Sequence, residues 1–177
     1  AFAVVDKVDV GVALTYFEFT TLAALYVFKH SKLDLLLLEI GLGGRLDAVN
    51  IIDPDVALIT TIGLDHTDWL GDSLDQIGRE KAGIMRSGRP VVIGSIDIPA
   101  SVIEHGDAIG AKLIQSGKDY QFNSLDQGWN WQYQSRRRNS LPFPYLRGDY
   151  QLANAAAALM TLECLSDTLP IDQRAVR

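Results

Sequence analysis

Cysteine is nearly absent from this sequence of 177 residues, in which Cys164 stands alone. A lone cysteine excludes an internal disulfide framework, and its apolar helical context favours a protein of the cytoplasm. Uninterrupted apolar segments of membrane-spanning length are also missing, and no signal peptide is recognisable. A membrane protein is therefore not expected.

Basic residues are in deficit, with 16 Lys and Arg against 22 Asp and Glu and a net charge of -6. This balance argues against nucleic acid or an anionic membrane surface as a partner. The only basic run, Arg136-Arg137-Arg138, is short, and we interpret it as a solvated loop or turn. What remains is the composition of a globular protein, 47% hydrophobic and 21% charged, long enough for one domain with its own core.

Familiar nucleotide-binding fingerprints are missing as well. No G-x-x-x-x-G-K-[ST] segment occurs, and the glycine-rich stretch "GLGGRLD" (41–47) does not match G-x-G-x-x-G. Glycines allow a backbone to come close to a ligand, but they also serve ordinary chain reversal. The pattern leaves both interpretations of this stretch open.

Apolar patterning predicts alternating helices and strands. Residues 15–30 have helical spacing with Thr15 as the N-cap, and residues 33–40 form an apolar run typical of a fully buried parallel strand. Further strands are predicted over 55–63, 89–95 and 111–117, and further helices over 72–85 (starting at Asp72 or Ser73), 99–111 and 149–165. Residues 118–146 alternate aromatic and polar side chains, which indicates antiparallel hairpins. The fold class predicted is α/β, a mostly parallel sheet flanked by helices with a small β-rich section near residues 118–146.

Polar side chains stand where two predicted strands end. Glu39 closes the run 33–40, and Asp65, His66 and Asp68 follow the strand 55–63. Ligands bind beyond the carboxyl ends of strands in open parallel sheets, so a carboxylate and an imidazole there predict a shared metal ion. The alternative is a buried Glu39 salt-bridged to Arg45 and a histidine hydrogen-bonded within a loop.

Other chemically interesting residues have ordinary explanations. Lys81 lies on a predicted helix soon after His66, where a lysine usually faces solvent. Trp129, Trp131 and Tyr133 have the spacing of one strand face, which favours packing over a stacking platform for a ligand.

Four segments together resemble one family. They are "LTYFEFTTLAAL", "LEIGLGGRLDAVN", "TTIGLDHTDWLGDSLDQIGREKAGIMRSGRPVV" and "YQLANAAAAL". In the same order they resemble the ATP-binding central domain of the bacterial dihydrofolate synthase/folylpolyglutamate synthases, relatives of the Mur ligases. Val49 and Tyr16 depart from the threonine and phenylalanine common in that family. The resemblance implies that residues 1–177 are an incomplete central ATPase domain, with a phosphate-binding loop upstream and a glutamate-binding domain downstream.

The resemblance implies an ATP-dependent amide ligase that acts in the cytoplasm as a monomer. In this family ATP phosphorylates the carboxylate of dihydropteroate or of a folate glutamate tail. The amine of L-glutamate then attacks the acyl phosphate, and ADP and phosphate leave. Alternatives are a monofunctional folylpolyglutamate synthase and a non-catalytic nucleotide-binding domain, and residues 1–177 by themselves are expected to be inactive.

Site residues follow from the same motifs. Glu39 and His66 resemble the family's Mg2+ ligands, Lys81 resembles its carbamylated lysine, and Asn154 resembles the residue near ATP. Residue types alone would favour Mn2+ or Zn2+, since imidazole is softer than Mg2+ usually prefers. The stretches that resemble the pterin-contacting segments consist of Thr15, Tyr16, Phe17 and Glu18 and of Leu46, Asp47 and Ala48.

Overall fold

A computed structural model describes residues 1–8, 11–146 and 148–176 of this chain. Its helices are α1 Phe2–Val5, α2 Tyr16–Lys29, α3 Thr67–Leu70, α4 Leu74–Ala82, α5 Ala100–Ile109 and α6 Asp149–Cys164, with a 3₁₀ helix at Ala48–Ile51. Its strands are β1 Ala57–Ile59, β2 Pro90–Ile93, β3 Lys112–Gln115, β4 Tyr120–Leu125, β5 Gly128–Tyr133 and β6 Arg136–Leu141. The predicted α/β fold class is confirmed.

A three-stranded parallel sheet in the order β1-β2-β3 forms the centre of the fold. Alternate side chains of β2 enter different cores, because successive residues of a strand point to opposite faces. Val91 and Ile93 pack in the core that contains Ala82 of α4 and Val102 of α5. Val92 packs in the core formed with α6 and the second sheet. Burial on both faces explains why this strand does not alternate polar and apolar residues.

The second sheet, β4-β5-β6, is antiparallel, as predicted for residues 118–146. Its aromatic residues are packing residues. The indole N–H of Trp131 donates to the carbonyl of Ala156 on α6 (3.1 Å). The hydroxyl of Tyr120 donates to the carbonyl of Ile93 (3.2 Å), and burial raises the pKa of Tyr120 to about 12. These two bonds join the second sheet to α6 and to the end of β2.

Two predicted helix starts are confirmed by capping boxes. The Thr15 hydroxyl accepts the N–H of Glu18, and the Glu18 carboxylate accepts the N–H of Thr15. Ser73, rather than Asp72, caps α4 through the same reciprocal pair with Gln76. Both arrangements satisfy backbone groups that a helix N-terminus leaves without partners. None of the helices in the described ranges is both long and apolar enough to cross a membrane.

The predicted strand over residues 33–40 is wrong. This segment is not assigned to a strand, and most of its apolar side chains are exposed, Leu37 by 88%. A parallel strand needs neighbours whose backbone groups pair with its own, and in the described part of the chain β1 pairs with β2 alone. β1 is also shorter than predicted, three residues within 55–63. An apolar run therefore predicted burial correctly for β2, which helices of this chain cover, and incorrectly for residues 33–40.

The interpretation of residues 136–138 as a loop or turn is also wrong, although Arg136 and Arg137 are exposed as predicted. These arginines begin β6, and the guanidinium groups of Arg136 and Arg138 both form ion pairs with Glu163 of α6. The Glu163 side chain is only 6% exposed, and that of Arg138 only 17%. The basic run therefore joins the antiparallel sheet to α6.

Replacing Glu163 by alanine should lower the free energy of unfolding by about 2–3 kcal/mol, because the largely buried Arg138 would lose its counter-charge. Glu104→Ala, which alters an exposed glutamate on α5, is the matched control and should change stability by less than about 0.5 kcal/mol. Calorimetric or urea unfolding measures both values. Equal effects of the two variants would show that the Glu163 ion pairs contribute nothing net.

Candidate functional site

The glycine-rich loop 41–47 lies directly against α4. A Cβ atom on Gly44 would come within 2.7 Å of the Glu80 carbonyl oxygen and 3.1 Å of the Lys81 Cα, so only glycine permits this approach. On the other side, a Cβ on Gly83 would collide with Arg45. The Arg45 N–H donates to the Glu80 carbonyl (2.8 Å), and the Arg45 guanidinium pairs with the Glu80 carboxylate (3.0 Å). The glycines thus hold the loop on the helix that carries Lys81.

A pocket of about 240 Å³ opens between this loop, the segment after β1 and α4. We call it the His66–Lys81 pocket, and its lining includes Gly41, Gly43, Asp65, His66, Ile77 and Lys81. The structure therefore brings together His66 and Lys81, which the sequence analysis selected separately. Both belong to segments that follow β1, at the carboxyl edge where α/β folds bind ligands.

His66 has an unusual backbone conformation. Its φ of 51° and ψ of 40° are left-handed, which is uncommon for a residue other than glycine. Its N–H donates to Asp65 Oδ1 (2.8 Å), and its ring Nε2 lies 3.7 Å from Asp65 Oδ2. Strained residues of this kind concentrate at functional sites. The turn presents the imidazole beside a carboxylate at the edge of the pocket.

Lys81 does not behave as an ordinary solvent-facing lysine. It lines the pocket together with Ile77, one helical turn earlier, and it is partly buried. Its charged sequence neighbours point elsewhere, since Arg79 is exposed and Glu80 is paired with Arg45. Of Arg79, Glu80 and Lys81, the pocket lining therefore includes Lys81 alone.

Glu39 occupies a different position from the one predicted. It is exposed, and the pocket wall begins with the next two residues, Ile40 and Gly41. The alternative of a buried Glu39–Arg45 salt bridge is also wrong, because Arg45 pairs with Glu80. Among the described residues, no three His, Cys, Asp or Glu side chains are grouped so that they could hold a metal ion. His66 and the Asp65 carboxylate beside it are two possible donors at the edge of the pocket.

A second pocket, of about 370 Å³, lies on the other side of the same loop. We call it the Glu18–Asp47 pocket, and its lining includes Glu18, Thr21, Leu46, Asp47, Ala48 and Asn50. It brings together four of the seven residues predicted to contact a pterin. Of the remaining three, Thr15 caps α2, Tyr16 is 85% exposed, and the Phe17 ring packs against Gly41.

The two carboxylates of the Glu18–Asp47 pocket already accept hydrogen bonds from the protein. Asp47 accepts the N–H groups of Gly41, Leu42 and Val49 at 2.8–2.9 Å, which fixes the loop and caps the 3₁₀ helix. The Glu18 pKa is lowered by hydrogen bonds from the backbone and then the side chain of Thr15. Asp47 therefore determines the shape of the loop.

Asn154 lies apart from both pockets. It is partly buried on α6, the helix that packs against the parallel sheet and the second sheet. Sequence reasoning also missed pocket residues: Arg45 and Asn50 line the Glu18–Asp47 pocket with polar groups. The available signal was their place inside "GLGGRLDAVN", the segment that already carried Asp47.

Comparison with known proteins adds independent findings. Residues 11–162 match the family model of the Mur ligase middle domain. The dihydrofolate synthase/folylpolyglutamate synthase of Escherichia coli K12 is 41% identical over 177 residues, which is 100% of this chain and 40% of that protein. A Yersinia pestis bifunctional folylpolyglutamate synthase/dihydrofolate synthase complexed with AMPPNP and Mn ion superposes with a TM-score of 0.90 at 47% identity, covering 99% of this chain and 41% of that one.

A structure of E. coli FolC in complex with DHPP and ADP gives a TM-score of 0.86 at 43% identity, covering 93% of this chain and 38% of that one. The chain thus spans about two fifths of the length of these relatives.

Proposed function

This chain belongs to the Mur ligase middle domain family, and from that premise we propose that it is the central part of a ligase that adds L-glutamate to dihydropteroate or to folate polyglutamate tails. The observation that carries the proposal is the pair of pockets on one loop. Gly41 and Gly43 line the His66–Lys81 pocket, and Asp47 and Ala48 line the Glu18–Asp47 pocket. The names of the similar proteins supply the substrates.

The two pockets suit the two halves of such a reaction. We assign the phosphates of ATP to the His66–Lys81 pocket and the pterin end of the acid substrate to the Glu18–Asp47 pocket. Phosphoryl transfer depends on positioning and on electrostatic stabilisation, so one rigid loop that shapes both pockets is a suitable support. Asn154 is assigned to the nucleotide by motif alone.

A divalent ion, Mg2+ in the cell, would neutralise charge on the phosphate oxygens. We assign His66 and Glu39 as its protein ligands and propose a carbamylated Lys81 beside them. The lysine ammonium first loses one proton, and the neutral amine then bonds to the carbon of CO2 and loses a second proton, which leaves a carbamate anion. It replaces a cation that repels a metal by an anion that attracts one. The pocket would in this way gain an anionic donor in addition to Asp65.

The reaction then proceeds in two steps. An oxygen of the substrate carboxylate bonds to the γ-phosphorus while the bond from that phosphorus to ADP breaks, giving an acyl phosphate. The amine of L-glutamate attacks the acyl carbon, loses a proton, and phosphate leaves with its electron pair. We propose that the phosphate-binding loop and the glutamate-binding domain lie outside residues 1–177, because the chain matches a middle domain and spans about two fifths of the length of its relatives.

The substrate assignment is tested by blocking one pocket. In the full-length ligase, the bulky indole of Ala48→Trp should occupy part of the Glu18–Asp47 pocket. The KM for dihydropteroate should therefore rise at least about tenfold, which is the lower end of the effect of one methylene group in a binding pocket. The KM for ATP should stay within about twofold, since the nucleotide is assigned to the other pocket. Ala108→Trp, on the exposed face of α5, is the control.

Both acid substrates should be assayed in this experiment. Activity with dihydropteroate and with a folate would support the bifunctional enzyme, and activity with the folate alone would support a monofunctional synthase. An Ala48→Trp enzyme with normal KM values for both acids would refute the assignment of this pocket.

A further inference from the structure

Arg86, which follows α4, is bonded through all three nitrogens of its guanidinium group. Its Nη1 donates to the carbonyls of Gly83 (3.3 Å) and Met85 (3.1 Å), just past the end of α4. Its Nη2 donates to the backbone oxygen (2.8 Å) and side-chain oxygen (3.1 Å) of Asn50. Its Nε forms a short ion pair with Asp53. One side chain thus joins the end of α4 to the segment 50–53.

Asn50 completes the connection from the other side. Its amide Nδ2 donates to the carbonyl of Gly83 (3.0 Å) and to that of Arg45 (3.2 Å). Its amide oxygen is the acceptor for Arg86. The amide group is therefore fully committed to protein partners, and it spans from the helix end to the start of the segment 45–51.

The segment 45–51 forms one wall of the Glu18–Asp47 pocket, and α2 supplies residues of the facing wall. Arg86 itself is not part of the described lining of this pocket, and its side chain is 26% exposed. Its bonds nevertheless hold the segment at the Asn50 end. At the other end the segment is held by Arg45, whose N–H and guanidinium both bond to Glu80.

We propose that Arg86, acting through Asn50, is a positioning residue for the acid substrate: it fixes the wall of the pterin pocket against α4 without touching the ligand. This proposal rests on the assignment of the Glu18–Asp47 pocket to that substrate. A planar guanidinium with a fork of donors is needed, because a lysine ammonium cannot reach carbonyls and carboxylate on so many sides at once. Without the guanidinium bonds, the segment 45–51 can adopt other positions, and the free energy needed to order it on binding rises.

The test uses Arg86→Gln and Arg86→Lys in the full-length ligase. Each should raise the KM for dihydropteroate and the dissociation constant measured by titration calorimetry about tenfold, with kcat and the KM for ATP within about twofold. The lysine variant should not restore the KM for dihydropteroate, because it keeps the positive charge but lacks the several hydrogen-bond donors of the guanidinium group. Asn50→Ala should have a similar effect, and the double variant should be no worse than the more damaged single variant.

Arg89→Gln is the matched control. Arg89 lies three residues after Arg86, is exposed, and pairs with Asp55 (3.1 Å). Its replacement should leave all kinetic constants unchanged. A merely structural role of Arg86 would lower the melting temperature while leaving the ratio of the two KM values unchanged, and that result would overturn the proposal.

Rescue by Arg86→Lys would also overturn the proposal. If Ala48→Trp raises the KM for dihydropteroate and Arg86→Gln does not, the positioning role alone fails. If neither variant raises it, the pocket assignment fails as well.

Discussion

Replacing Lys81 by alanine in the full-length ligase is expected to lower kcat/KM by about 100- to 1,000-fold, the loss typical of removing one group that stabilises charge at a reacting centre. Lys81 lines the same pocket as His66 and is partly buried there. As a carbamate it would add an anionic donor to the one that Asp65 already provides in the pocket lining. Steady-state rates measured over a range of acid-substrate concentrations below and above KM, at saturating ATP, give kcat/KM and hence the loss.

Further variants separate carbamylation from simple charge. Lys81→Arg should remain inactive although it keeps the positive charge, and bicarbonate or short carboxylic acids should partly restore Lys81→Ala by supplying the missing anion. Arg79→Ala, on the exposed side of the same helix, should retain full activity. Native mass spectrometry in CO2-equilibrated buffer should find the modification. An unmodified Lys81 together with an active Lys81→Arg enzyme would overturn the assignment.

Elements whose evidence is local were predicted well from the sequence. Thr15 and Ser73 identified the starts of α2 and α4, because an N-cap bonds to a residue only three positions away. The run containing Val91, Val92 and Ile93 identified a strand, and the structure buries it on both faces because α4, α5 and α6 all belong to this chain. Family membership, predicted from four motifs, is confirmed by the match over residues 11–162.

Elements whose evidence is distant were predicted poorly. The run 33–40 has the composition of a buried strand, yet composition does not reveal whether a pairing partner is present. The ion pairs of Arg136 and Arg138 were not predicted because their partner, Glu163, lies on α6, the next element along the chain.

The site shows the same division between local and distant evidence. His66 and Lys81 were each selected by motif and lie in one pocket. The contacts that shape that pocket, such as Gly44 against Glu80 and Asp47 on the N–H groups of Gly41 and Leu42, join backbone atoms that side-chain patterns do not report. Glycine spacing therefore indicated that something approaches the loop closely, but not that it is a helix of the same protein.

The second large effect is expected at Glu39 and His66. Glu39→Gln and His66→Ala, each in the full-length ligase, should lower kcat/KM by about 100-fold if both side chains hold the same divalent ion. His66 lines the pocket in a strained left-handed conformation, and Glu39 lies one residue before its wall. Glu39 is exposed, so its carboxylate would have to turn toward the pocket to hold the ion.

The double variant decides whether the two residues act as one unit. Once the ion is lost, the second replacement removes little further activity. The kcat/KM of the double variant should therefore lie within about tenfold of that of the less active single variant, rather than being lowered by the product of both losses. The Mn2+ affinity, measured by electron paramagnetic resonance with ATP present, should fall in both single variants. His30→Ala and Glu104→Gln, at exposed positions, provide controls of the same residue types. Losses that multiply, or a Glu39→Gln enzyme that binds Mn2+ normally, would show that Glu39 is not a ligand and that the ion relies on His66 with other donors.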